Sequence, residues 1–131
     1  MPARLLLIDT DVLIDYSRGI EKTKEILKNV ETDHILSISV ITQLELMVGC
    51  ENKADFKSLQ KFLTNFEIIQ LNKSTSEKAV DLFKKYRLSH SVLIPDMLIA
   101  STALILEIPL LSKNRRDFRF IDTLELIEYT L

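Results

Sequence analysis

Apolar and polar positions switch repeatedly between two periods along this chain. Leu5-Leu6-Leu7-Ile8 is apolar without alternation, as in a strand buried on both faces of a parallel sheet. The run stops at Asp9. Val12, Leu13 and Tyr16 then recur at helical spacing, which predicts a strand over 4–8 and a helix near 11–17 that Gly19 ends. Glu21 to Val30 reads as a charged surface helix and His34 to Ile38 as a short strand. Ser39 opens a helix whose apolar face is Val40, Ile41, Leu44, Met47 and Val48, closed by Gly49. Glu45 falls about 100° from the centre of that face, at the border of the expected buried stripe. Residues 53–64 form an amphipathic pattern with Phe56, Leu59, Phe62 and Leu63, and Phe66 to Leu71 reads as a strand. Ser74 and Glu77 have the spacing of a capping box, opening a helix that carries Ala79, Leu82, Phe83 and Tyr86. Pro95 suits the first position of the next helix. That helix, Asp96 to Leu106, is apolar nearly all round and is expected to be buried. Ala100 and Ala103 share the face of Asp96, where small side chains allow close approach to a sheet. Pro109 to Ser112 leads a strand, Lys113 to Asp117 a polar loop, and Leu124 to Tyr129 a final strand.

Strands that alternate with helices predict an α/β fold with a mainly parallel sheet. The 131 residues suit one domain, 1–131. At 47% apolar and 27% charged, the composition excludes a disordered chain. The net charge of −2 neither selects nor excludes nucleic acid, since a local basic patch can sit on an acidic protein. Cys50 is alone, so no disulfide can form within the chain, which fits a reducing compartment. No stretch approaches the length of a membrane span, and the opening apolar run is too short for a signal peptide. A cytoplasmic protein with no membrane attachment is expected.

Three acids stand where the apolar pattern would not place them. Asp9 ends a buried strand, Glu45 borders a core-facing helix stripe, and Asp96 lies in the first turn of a buried helix. Charged residues are almost never buried unless paired or bound to metal. No Lys or Arg is an obvious partner for all three. Carboxylates sharing a site raise each other's pKa unless a cation neutralises them, and oxygen donors in this number suit Mg²⁺ or Mn²⁺. The plainer reading of the first acid is that Asp9 or Thr10 only caps the helix that follows.

Four stretches carry a resemblance. Ile8 to Asp15, Thr42 to Gly49, Pro95 to Ala100 and Leu110 to Phe118 resemble, in order and spacing, the four successive signatures of PIN-domain ribonucleases. The resemblance is nearest to the VapC toxins of type II toxin–antitoxin modules and covers essentially the whole chain. It implies an α/β/α sandwich and a Mg²⁺-dependent endoribonuclease, with Mn²⁺ able to substitute. It also implies hydrolysis by a metal-activated water, an RNA substrate, a homodimer and a VapB-like antitoxin partner. Asp9, Glu45 and Asp96 match the family's metal-binding acids. The fourth acid falls at Asn114 or Asp117 depending on the member, so Asp117 is the candidate here and Asn114 a supporting residue. Asp11 replaces the usual Asn or Ser and is a further acceptor. The Thr10 hydroxyl is placed to steady Asp9 or a water.

Lys113, Arg115 and Arg116 are candidate contacts for RNA phosphates, with a solvated loop as the plainer reading. Met47, Phe56, Leu59 and Phe62 are core residues or else an exposed groove for an antitoxin segment. His34 and His90 have no matching metal-ligand neighbours and read as structural or exposed, and Cys50 after Gly49 reads as incidental. Three rival functions use the same residues. Asp9-Thr10-Asp11 has the form of the first motif of haloacid-dehalogenase phosphatases, whose later Gly-Asp acid motif has no counterpart after residue 90. A response-regulator receiver would need an Asp at the end of the strand Phe66 to Leu71, and none is there. A catalytically inactive PIN fold acting as a binding module is the third.

Overall fold

The computed structural model describes residues 4–113 and 115–129; Asn114 and the side chain of Arg115 lie outside the described residues. The chain runs β1 (Arg4–Ile8), α1 (Thr10–Ser17), α2 (Glu21–Val30), β2 (His34–Ser39), α3 (Val40–Val48), α4 (Lys53–Leu63) and β3 (Glu67–Ile69). It continues as α5 (Lys73–His90), α6 (Ile94–Leu106), β4 (Leu110–Ser112), α7 (Arg115–Phe118) and β5 (Leu126–Glu128). The five strands form one sheet in the order β3-β2-β1-β4-β5, and every pairing is parallel.

The unbroken apolar run of β1 follows from its central place in that order. Successive side chains point to opposite faces. Leu7 joins Leu110, Met97, Ile99, Ala100, Ala103, Leu82 and Tyr86 on one side, where α5, α6 and α7 pack. Leu6 and Ile8 join Leu111, Ile38, Val12, Leu13, Leu27 and Leu63 on the other, where α1, α2 and α4 pack. The sheet is therefore the middle layer of the expected α/β/α sandwich. Truncating one of these fully buried leucines to Ala costs about 2–5 kcal/mol.

Local chemistry departs from expectation at several points, among them the expected polar loop, where residues 115–118 form α7. The cap of α5 is Asn72, not Ser74: its Oδ1 accepts from the Thr75 amide at 2.9 Å and the Thr75 hydroxyl at 2.7 Å. Asn72 is an equally good cap two residues earlier in extended backbone, and Glu77 turns instead to Lys73 at 3.7 Å. Pro95 is the second residue of α6, after Ile94. Gly49 follows α3 at φ −77°, so only Gly19, at φ +76°, uses the left-handed freedom of glycine. The middle of α6 is buried as expected, but Ile94, Ile105 and Leu106 at its ends are exposed.

The larger correction concerns α3. Its apolar stripe is not a core face: Leu44 is 53% exposed and Val48 86%. The helix crosses the carboxyl end of the sheet and is anchored by buried Thr42, with Ile41 packed against one core and Leu46 against the other. At 100° per residue, Leu44 and Val48 fall on the side opposite Thr42. Glu45 lies only about 60° from Thr42, which turns it toward the sheet edge although it is itself exposed.

Candidate functional site

The sheet order fixes where a crevice opens. From β1 the chain steps outward through β2 to β3, then returns to the other side of β1 for β4 and β5. The switch point lies between β1 and β4, and ligands of open α/β sheets bind outside the carboxyl ends of strands at that point. Asp9 ends β1 there and Ser112 ends β4. The Ser112 hydroxyl donates to Asp9 Oδ2 at 2.9 Å, and the Asp9 amide donates to the Leu111 carbonyl at 3.0 Å. Asp9 Oδ1 accepts from the Thr10 amide at 2.9 Å. Asp9 is thus the cap residue of α1 and the acid of the crevice at once.

The Thr10 hydroxyl links α1 to α3. It donates to Glu45 Oε1 at 2.7 Å and stands 2.9 Å from the Thr42 hydroxyl. One hydroxyl carries one proton, so Thr42 donates to Thr10 and Thr10 to Glu45. This relay aims Glu45 at the crevice from an exposed helix face. Asp96 arrives from the first turn of α6, whose small Ala100 and Ala103 are fully buried against the sheet side. Asp117 arrives from α7, which Phe118 pins into the core.

The electrostatics record the convergence. Burial pushes the Asp9 carboxyl up to about 7, with Asp11 and Glu45 adding repulsion, while the bonds from Ser112 and Thr10 oppose the rise. Burial also pushes Asp96 up to about 7, and Asp117, Asp9, Glu45 and Asp11 all add repulsion. The amino end of α6 favours a negative charge there. Desolvation and the surrounding carboxylates outweigh it. Asp117 is raised by burial and by Asp11, with Arg116 opposing. Among the described residues, no Lys or Arg forms an ion pair with Asp9, Glu45 or Asp96.

Such a set fits a hard divalent cation in kind: oxygen donors only, several of them acidic, with Asp9, Glu45 and Asp96 in no ion pair with Lys or Arg among the described residues. It is not closed in position. Among the described residues, no three Asp, Glu, His or Cys side chains already surround one point as metal ligands.

The remaining candidates are placed as follows. Asp11 is half-buried and bears on Asp9, Asp96 and Asp117. Arg116 is exposed beside Asp117. Lys113 Nζ is held 2.6 Å from Asp15 Oδ2. Asn114 and the side chain of Arg115 fall outside the described residues. Sequence reasoning missed Ser112, Thr42 and Asp15. Ser112 had a legible signal, since it ends an apolar strand as Asp9 does. Thr42 and Asp15 had only their positions on helix faces. Met47, Phe56 and Leu59 line a groove of about 680 Å³ with Gln43, Gln60, Leu63, Thr64, Phe66 and Ile68. Phe62 instead packs between Tyr16 and Phe66.

The PIN domain family model matches residues 6–124. Ribonuclease VapC10 of Mycobacterium tuberculosis is 30% identical over 122 residues, covering 92% of this chain and 91% of that protein. Ribonuclease VapC of Rickettsia bellii is 31% identical over 136 residues, covering 96% of this chain and 97% of that protein. A chain in a toxin–antitoxin complex from Klebsiella pneumoniae is 29% identical and superposes with a TM-score of 0.78, covering 96% of this chain and 99% of its own. These matches set aside the phosphatase and receiver readings, whose folds and motifs differ. PIN-domain ribonucleases as a class depend on a divalent metal. The acids at the β1–β4 switch point and the matches along nearly the whole chain agree: this protein belongs to the PIN-domain family, among the VapC ribonucleases.

Proposed function

We propose that residues 1–131 form one PIN-like unit, a cytoplasmic Mg²⁺-dependent endoribonuclease that is the toxin of a type II toxin–antitoxin pair. The single observation that carries the site is the convergence of Asp9, Asp96, Asp117, Asp11 and Glu45, where repulsion between carboxylates adds to the burial that pushes Asp9 and Asp96 up to about 7. Asp9 and Asp96 would hold the cation directly, with Glu45 and Asp117 completing its surroundings. When bound, the cation neutralises the carboxylates, draws charge from the scissile phosphate and acidifies a water. Mn²⁺ would serve in its place.

The chain's own residues do the rest. Ser112 and the Thr10 amide fix the Asp9 carboxylate so that it needs no reorganisation. Thr10 holds Glu45 Oε1 and leaves Oε2 to orient the attacking water and accept its proton. Attack in line with the leaving sugar oxygen gives a 5′-phosphate and a 3′-hydroxyl. Arg116, exposed at the rim, is placed for an RNA phosphate.

An antitoxin of the VapB kind would use two features. An apolar segment fits the groove of Met47, Phe56 and Leu59, and a basic side chain fits the anionic crevice. A homodimer would cover the shallow apolar groove of Val80, Phe83, Ile94 and Leu98 between α5 and α6. Among the described residues, no helix is long and apolar enough to cross a membrane.

The test is cleavage of a structured RNA by the purified protein with Mg²⁺, with EDTA, and by Asp96→Asn. Cleavage that needs Mg²⁺ and is lost in the variant is expected. Cleavage that survives either EDTA or Asp96→Asn would overturn the assignment of these acids.

A further inference from the structure

We infer that Lys113 and Asp15 are a positioning pair: their ion pair fixes the β4–α7 junction on α1, and so sets Asp117 relative to Asp9 and Asp96. This rests on the reading of those acids as the ribonuclease site. Lys113 Nζ lies 2.6 Å from Asp15 Oδ2, and the side chains are 27% and 5% exposed. Asp15 is the most enclosed carboxylate on α1. It sits four residues after Asp11, on the same helix face.

The tie does not stand alone. Ser112, the residue before Lys113, bonds Asp9 at the start of α1. Two consecutive residues, the last of β4 and the one after it, are therefore fastened to the start and to the second turn of one helix. The four-residue α7 begins two residues later. So short a helix has little stability of its own, and its orientation follows from what holds its ends. Phe118 in the core holds one end. Two residues before the other end, Lys113 is tied to Asp15. Asp117 lies between them, and among the neighbouring carboxylates it bears most strongly on Asp96.

The geometry also weighs against Lys113 as an RNA contact. An ammonium already bonded to a buried carboxylate would have to leave that carboxylate unpaired in order to reach a phosphate.

The experiment uses the full chain as Lys113→Met, Lys113→Arg, Asp15→Asn and the double variant Lys113→Met/Asp15→Asn. For each, kcat and KM are measured on one RNA with Mg²⁺. RNA affinity is measured in EDTA across a range of KCl, and Mn²⁺ affinity by calorimetry. The pair predicts that Lys113→Met and Asp15→Asn each lower kcat and Mn²⁺ affinity by about 10-fold, the size typical of outer partners of metal ligands. KM, metal-free RNA affinity and its salt dependence stay within about twofold, because no phosphate contact is lost. Lys113→Arg restores most of kcat, and the double variant is no worse than either single change. The double variant also leaves no orphaned buried charge, so it stands in if a single variant fails to fold.

A phosphate contact gives the opposite pattern. Lys113→Met then weakens metal-free RNA binding, flattens its salt dependence and leaves kcat unchanged, while Asp15→Asn does nothing. That result overturns the pair, as does a double variant with the parent's kcat and Mn²⁺ affinity. A parent chain that neither cleaves RNA nor binds Mn²⁺ overturns the ribonuclease reading, and the pair with it.

Discussion

Ser112 Oγ donates to Asp9 Oδ2 across 2.9 Å, although 103 residues separate the two in the chain. The bond crosses the switch point of the sheet, joining the ends of β1 and β4. It favours the ionised form of a carboxylate that burial would otherwise keep protonated. Both the site's geometry and its charge state depend on this contact.

Ser112→Ala removes that support and leaves desolvation opposed mainly by the Thr10 amide. The proton on Asp9 is then held more tightly. A hydrogen bond to a charged group contributes about 1.5–3 kcal/mol, so kcat/KM near neutral pH is expected to fall by roughly 10- to 100-fold. The loss should be larger on the acid side of neutrality than on the alkaline side. A pH–rate profile of parent and variant checks this; an acid limb that does not move to higher pH would sever Ser112 from the ionisation of Asp9.

The metal-free protein should lose stability as pH rises. Asp9 and Asp96 hold their protons up to about 7 in the fold, against 3.8 ordinarily. Between those values the folded state binds more protons than the unfolded chain. Stability from these groups is therefore greatest at low pH and falls as pH climbs toward and through 7. In EDTA, Tm should be lower at about pH 8 than at about pH 5.5, and Asp9→Asn should flatten that difference. Mg²⁺ or Mn²⁺ should raise Tm most at the alkaline end, where both acids are free to bind it, and Asp9→Asn should abolish the shift. An unchanged Tm in the parent at millimolar Mn²⁺ counts against the site.

Expression of the parent should arrest growth, and Asp96→Asn should relieve the arrest without unfolding the protein. Asp96 lies in a first helical turn with Pro95, and asparagine is nearly its isostere. Removing its charge also relieves repulsion from Asp117, Asp9 and Glu45. The variant's Tm in EDTA should match or exceed the parent's. Arrest by a folded Asp96→Asn chain would separate toxicity from cleavage.

The layering of this fold was legible because β1 is apolar on both faces and the helices carry clear apolar stripes. Asp9, Asp96 and Glu45 stood out as acids against that background. The α3 helix misled for a physical reason. Periodicity identifies an apolar face but not what covers it, and Leu44 and Val48 face outward while a threonine anchors the helix. The cap of α5 was missed because Asn72 competes with Ser74 on equal terms, and only backbone geometry decides between them. Asp15 gained its role from a contact 98 residues away in sequence, which no local pattern encodes, whereas the place of Ser112 at the end of an apolar strand was legible although its partner was not. Lys113 read as a free basic residue because its partner lies on another element.

The fourth site acid can be decided by mutation. Asp117 sits on α7 between the junction at Lys113 and the buried ring of Phe118. Burial and Asp11 raise its pKa while Arg116 opposes them, so its charge is shared between the crevice and one rim cation. A hard cation gains more from a carboxylate than from an amide. Asp117→Asn is therefore expected to lower cleavage by at least ~10-fold, about 1.4 kcal/mol of transition-state stabilisation. Asn114→Ala should cost less. If Asp117 only pairs with Arg116 to shape the rim, Arg116→Ala should be as damaging as Asp117→Asn, and both losses should be independent of metal. Timing the cleavage of one RNA at saturating and at limiting Mg²⁺ separates these cases. A group that holds the cation or its water shell loses more activity when metal is scarce. Equal impairment at both concentrations, or a greater loss in Asn114→Ala, would move the fourth position from Asp117 to Asn114.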